Sequence, residues 1–160
     1  MTERRTNRSY VSYMDKSRNY YAAHGYPNPY GWAHHEDVPF TALKKPLAEC
    51  RIALATTADR APRAEGRQVR LYAEPLASAK HLHTEMSWDR TATHMQDSET
   101  YLPLAAIERY VDEGRLGSVS PRFYGVPTEY SHRRTMEEDA PKIAAWMLED
   151  GVDVCVLASI

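Results

Sequence analysis

No apolar run in the 160 residues is long enough to cross a bilayer, and no hydrophobic signal-peptide segment follows Met1. A cytoplasmic location is the expectation. Cysteine is scarce: Cys50 and Cys155 are the two present, far apart and in no CxxC pair, which excludes a disulfide framework and a cysteine-based metal knuckle. Both are expected to be buried as small apolar groups. An excess of basic charge is also lacking. Twenty Lys and Arg against 22 Asp and Glu leave a net charge of -2, which argues against a dedicated nucleic-acid binder. There is no glycine-rich phosphate loop, no GxSxG elbow and no HExxH. Phenylalanine occurs twice and tyrosine eleven times. Tyrosine joins apolar area to a polar end, which suits a wet cleft or an interface.

What is there fits an ordinary globular chain, 42% hydrophobic and 26% charged, of a length that buries a core. Residues 1–8 carry three arginines and are expected to be a disordered basic tip. Residues 9–160 are expected to form a single domain. Residues 9–24 predict a helix closed by Gly25, followed by an aromatic, proline-rich loop through Phe40. Arg51 to Thr57 predicts a buried parallel strand, and Val69 to Tyr72 a second short one, with a surface loop over 58–68. Residues 81–97 predict an ordered loop. Pro103 opens a helix with Leu104, Ile107 and Val111 as its apolar stripe and Gly114 as its end. Leu116 to Ser120 predicts a strand and 121–135 a polar, aromatic loop. Thr135 with Glu138, or Asp139 ahead of Pro141, predicts the start of a last helix that buries Ile143, Trp146 and Met147 and stops at Gly151. Val152 to Ile160 predicts a final buried strand. The fold class is therefore α/β: a small parallel, Rossmann-like sheet with flanking helices and long ordered loops. Ligands of such sheets bind beyond the carboxyl ends of the strands.

Three clusters carry candidate chemistry. Residues 81–97 hold His81, His83, Glu85, Asp89, His94 and Asp97. Imidazole and carboxylate together suit a divalent metal, with His83, His94 and Asp97 as candidate ligands. The alternative is a polar loop in which His94 and Asp89 bond to backbone and to each other. His34, with His35, Glu36 and Asp37 beside it, is a candidate general acid or base, or a hydrogen-bonded histidine under the aromatic loop. The run from Tyr124 through Glu129, Tyr130, His132 and Arg133 follows a strand end, and Arg133 or Arg134 is suited to holding a carboxylate or to surface ion pairing.

Taken together, GYPNPYGWAHHEDVPF (25–40), KKPLAECRIALATT (44–57), SWDRTATHMQD (87–97), residues 102–117, FYGVPTEYSHRRT (123–135) and residues 139–157 resemble the selenoprotein B family of glycine, sarcosine, betaine and D-proline reductases, with its cysteine-containing relatives in aerobic bacteria. The resemblance implies the N-terminal half of a larger reductase-like unit. It implies a cleft for an amino-acid-like small molecule, with catalytic His34, His94 and Asp89 and substrate-binding Trp32, Trp88, Thr93, Tyr124, Glu129, Tyr130, His132 and Arg133. In that family a selenocysteine or cysteine in a CxxC-like loop follows the strand matching Val152 to Leu157, and a pyruvoyl group sits on a partner subunit. Neither Cys50 nor Cys155 stands at the nucleophile position. The expectation is thus an oxidoreductase or lyase-like subunit without its own redox thiol, completed by a second protein subunit that supplies the CxxC-containing half. A metal-dependent enzyme built on loop 81–97 and a non-catalytic binding or scaffolding subunit are the alternatives. Beyond a possible divalent metal, no cofactor is implied.

Overall fold

A computed structural model describes residues 13–26, 28, 34–39, 41–60, 71–83, 96–126 and 131–159. The chain divides into two compact units, Met1–Pro39 and Phe40–Ile160.

The first unit contains helix α1 (Tyr13–Ala23). Gly25, at φ 80°, closes it: its N–H reaches the carbonyl of Ala22, and the N–H of Tyr26 reaches that of Tyr21. This paired closure needs a left-handed residue, which glycine supplies without a Cβ clash. The rings of Tyr21 and Tyr26 meet edge to face across it at 5.7 Å.

The second unit is built on β1 (Arg51–Thr56), whose last five residues are buried. Alternation along this uncharged stretch sends Ile52 and Leu54 to one face and Ala53 and Ala55 to the other. Helix α2 (Leu104–Asp112) brings Ile107 and Val111 to the bulky face. Helix α4 (Ala140–Glu149) brings Ile143, Trp146 and Met147 to the alanine face, where the small β1 side chains leave room for the large helical ones. Both helices end at left-handed glycines, Gly114 and Gly151, where the sequence pattern puts their ends.

Strands β3 (Ser118–Val119) and β4 (Arg122–Gly125) both run parallel to β1 along the same edge. Ile52 pairs with Val119 and Ala55 with Tyr124, so two residues of β1 oppose four of the neighbour. They form one strand interrupted by a bulge at Ser120 and Pro121, where the proline has no N–H to give the ladder. On the other edge of β1 lies β5 (Val154–Ala158), also parallel. β2 (Tyr72–Pro75) pairs antiparallel with β4. The architecture is α/β with a mostly parallel five-stranded sheet and helices packed on it, as the pattern of elements predicts.

Four local expectations are corrected. The run 121–135 is not all loop: β4 passes through its start, and Phe123 and Tyr124 are fully buried. Their β-forming side chains are hidden in sequence by Pro121 and the glycine and proline that follow. The second strand begins at Tyr72, where the reading from sequence ended it. The last helix is preceded by two contiguous helical segments, α3 (His132–Arg134) and a π-helical turn (Thr135–Asp139), with Ser131 at the N-cap accepting from the Arg134 N–H. Pro141 thus lies inside a helical run. Its missing N–H and its ring disrupt a regular turn, and the wider π turn just before it accommodates both. Finally, β5 is an edge strand rather than a buried one, with Leu157 77% exposed.

Candidate functional site at the carboxyl ends of the strands

Beyond β1 the chain makes a tight, buried turn. The Thr56 hydroxyl accepts the N–H of Ala58, and Ala58 is buried although the sequence places it in a surface loop. Asp59, 8% exposed, exchanges both backbone hydrogen bonds with His83 (2.7 and 2.6 Å). His83 is therefore fixed by its main chain beside the end of the central strand. The Tyr72 hydroxyl donates to the carbonyl of Ala58 at 2.6 Å, and burial, with Asp59 adding to it, pushes that phenol well above its usual range. Arg60 lies over the Tyr72 ring and pairs with Glu74 at 2.9 Å. The Tyr72 ring covers Gly125 so closely that any Cβ there would overlap it at 1.9 Å. Gly125 ends β4, and five residues separate it from Ser131 and the start of the helical run, a span of at most about 22 Å. The helical run ends at Asp150, which bonds Arg51 and Arg122 at the amino end of the sheet, so its start, with His132, Arg133 and Arg134, lies toward the carboxyl end. Ser159 follows β5 there as well.

Of the residues expected to be functional, His83, His132 and Arg133 are exposed in the second unit. Arg133 bonds Glu137 at 2.9 Å, one turn along. The Asp97 carboxylate accepts the N–H of Glu99 and caps a short 3₁₀ turn, Ser98–Thr100. Tyr124 is fully buried, and its hydroxyl donates to Asp150, so it has no surface for a substrate. His34 is exposed and belongs to the first unit. Trp32, Trp88, Asp89, Thr93, His94, Glu129 and Tyr130 lie outside the described residues. Among the described residues no group of three or more His, Cys, Asp or Glu is placed to hold a metal. Asp59, Arg60, Tyr72 and Glu74 were missed from sequence. The one signal for Asp59 was its position three residues past the end of an uncharged strand.

The cysteines behave as small apolar groups. Cys50 is buried, with its thiol directed at the carbonyls of Lys45 and Pro46. Burial pushes the Cys155 thiol up to about 11, which leaves little thiolate at neutral pH.

At the opposite end of the sheet the polar groups are tightly paired. Asp150 receives the Arg122 Nε at 2.7 Å and the Tyr124 hydroxyl. Arg122 first, with Tyr124 assisting, holds the Asp150 carboxyl below the usual range. Burial, then Asp150, pushes Tyr124 up to about 12. Asp153 accepts the Arg51 backbone N–H at 2.7 Å and pairs with Lys45 at 2.8 Å, and both bonds lower its pKa. Away from this network, the amino terminus of α2 is closed by the Glu99 carboxylate, which accepts the N–H groups of Ala105 and Ala106.

No family model, no curated protein and no solved structure matches this chain. Among the described residues no helix is long and apolar enough to cross a membrane.

Proposed function

We propose that this chain is one subunit of a reductase-like complex, and that it forms part of a cleft for an amino-acid-like small molecule while a partner polypeptide supplies the redox thiol. The observation that carries the reading is the shared direction of β1, β4 and β5, whose carboxyl ends bring Thr56, Asp59, the His132–Arg134 helix start and Ser159 to one end of the sheet. Ligands of parallel α/β sheets bind there because loops and helix amino termini converge at that end. Arg133 and Arg134 suit the carboxylate of an amino-acid-like substrate. The partner is supported by two features. Both thiols of this chain are engaged or desolvated. The outer edge of β5 carries neither proline nor charge, the usual guards of an unpaired edge, and it exposes Val156 and Leu157. A strand from the partner would cover it.

The test is titration calorimetry of the full chain with glycine, sarcosine, betaine and D-proline, alone and with any protein that co-purifies with it. Binding that weakens on Arg133→Ala, together with turnover that needs the co-purifying protein and is lost on His94→Ala or Asp89→Ala, is the expected result. Turnover by the isolated chain without any added thiol protein would sink the reading.

A further inference from the structure

Helix α4 spends one face on the sheet and leaves another uncovered. Ile143 is buried and Trp146 and Met147 half-buried, whereas Pro141, Ala144, Ala145 and Leu148 are all exposed. Their spacing (i, i+3, i+4, i+7) puts them in one stripe, and Leu148 at its end is 76% exposed. Exposed stripes on globular helices are ordinarily polar; this one contains no polar residue.

The stripe has a symmetry that selects its occupant. Run antiparallel against itself about a point between Ala144 and Ala145, it sets Leu148 against Pro141 of the second copy and alanine against alanine. The alanines allow the helix axes to approach closely. The flanking charges come near the same symmetry, with Lys142 of one copy offset from Glu149 of the other by two residues of rise, about 3 Å, which their long side chains span. Lys142 and Glu149 are seven residues apart and share one side of the stripe. A two-fold axis perpendicular to the helices keeps that side facing itself with direction reversed, so Lys142 of each copy comes beside Glu149 of the other. A parallel two-fold pairing would instead put the two charged sides on opposite flanks of the contact, where they do not meet. Within one copy both groups keep weak partners: the Lys142 ammonium sits 5.1 Å from the Trp146 ring centre, and Glu149 lies 3.5 Å from Arg122 while its side chain remains 67% exposed.

We infer that the outer face of α4 is a self-association surface, on which two copies of this chain pair through antiparallel α4 helices with two reciprocal Lys142–Glu149 ion pairs. An isologous contact of this kind is the usual way a homodimer closes. The surface lies on a helix face and not on the β5 edge, so it stands apart from the proposed partner subunit.

Sedimentation equilibrium of the full chain over a wide concentration range tests it. The expected result is a monomer–dimer equilibrium whose Kd rises at least about tenfold in Leu148→Asp. Lys142→Glu and Glu149→Lys each weaken the dimer, and the double variant K142E/E149K restores it. Circular dichroism and melting temperature of each variant serve as the check that the fold is retained. A wild-type chain that stays monomeric at the highest concentration overturns the inference. So does a dimer indifferent to Leu148→Asp, or single charge variants that the double variant fails to rescue. If Leu148→Asp instead releases a different co-purifying protein from a monomeric chain, the face belongs to that protein and the inference fails, while the reductase-like reading is left as it was.

Discussion

The two ends of the sheet are built on opposite plans. At the amino end, Arg51, Arg122, Asp150, Asp153 and Lys45 form a network of charge-assisted hydrogen bonds that ties the loop before β5 to β1 and β4. At the carboxyl end of β1 the contacts are mostly those of main chain and hydroxyl groups: the Thr56 hydroxyl, the Ala58 and Asp59 main chain, and the Tyr72 ring over Gly125, with the buried Asp59 carboxylate beside them. Charges that bond one another hold elements in place and have little left for a ligand. The carboxyl end holds its shape with main-chain and hydroxyl bonds and places charged side chains at its margin. The difference separates the part of the molecule that fixes the fold from the part at which a ligand is proposed to bind.

The largest effect expected is from closing the gap over Gly125. Gly125→Val puts atoms inside the Tyr72 ring and is expected to cost at least about 3 kcal/mol, read by urea denaturation. At the amino end, Asp150→Ala removes the closest partner of Arg122 and of the buried Tyr124 hydroxyl, leaving them their longer contacts to Glu149 and Ser120, and is expected to cost about 2 kcal/mol by the same measurement. A smaller change is expected at Thr56→Val, which removes the acceptor for the buried Ala58 N–H, with a cost of about 1 kcal/mol. Arg133→Ala breaks an exposed pair and is expected to change stability by less than about 0.5 kcal/mol while weakening ligand binding. If Arg133→Ala lowered stability as much as Asp150→Ala, the contrast between the two ends would collapse.

Acidity probes the same contrast. The folded pKa values of Asp150 and Asp153 lie below their unfolded values, so the unfolded chain binds more protons as pH falls. Their contribution is fully present above the ordinary carboxylate range, near 4, and is lost as pH drops through their lowered values. Tyr124 works in reverse. Its folded value, about 12, lies above the usual 10, so its contribution is present below pH 10 and fades between 10 and 12. Melting temperature across pH 2–6 should therefore fall on the acid side, and Asp150→Asn should flatten that fall. For Cys155, alkylation by iodoacetamide at pH 8 should be slow in the folded chain and fast once urea unfolds it.

The strand β1, the helices α2 and α4 and their terminating glycines were legible because each rests on a local rule: an uncharged β-branched run, an apolar period, a left-handed closing residue. β4 was not, because three residues between a proline and a glycine carry too little pattern to distinguish a strand from a turn. Tyr124 shows the same limit at the level of the site. Its position after a strand suggested a cleft residue, but its direction depends on the bulge at Ser120 and Pro121 and on Asp150, a residue 26 positions away. Asp97 likewise has a local role that the reading from sequence did not name: its carboxylate accepts the Glu99 N–H two residues on.

By itself the sequence determined the α/β class, the central strand, the two packing helices and the low reactivity of both cysteines, all of which follow from composition and short-range periodicity. Only the tertiary structure decided the order of strands, the edge position of β5, the enclosure of Gly125 by Tyr72 and the pairing of charges at the amino end. Those depend on which distant segments meet, and pairings between residues 50 to 100 positions apart leave no mark in a local pattern.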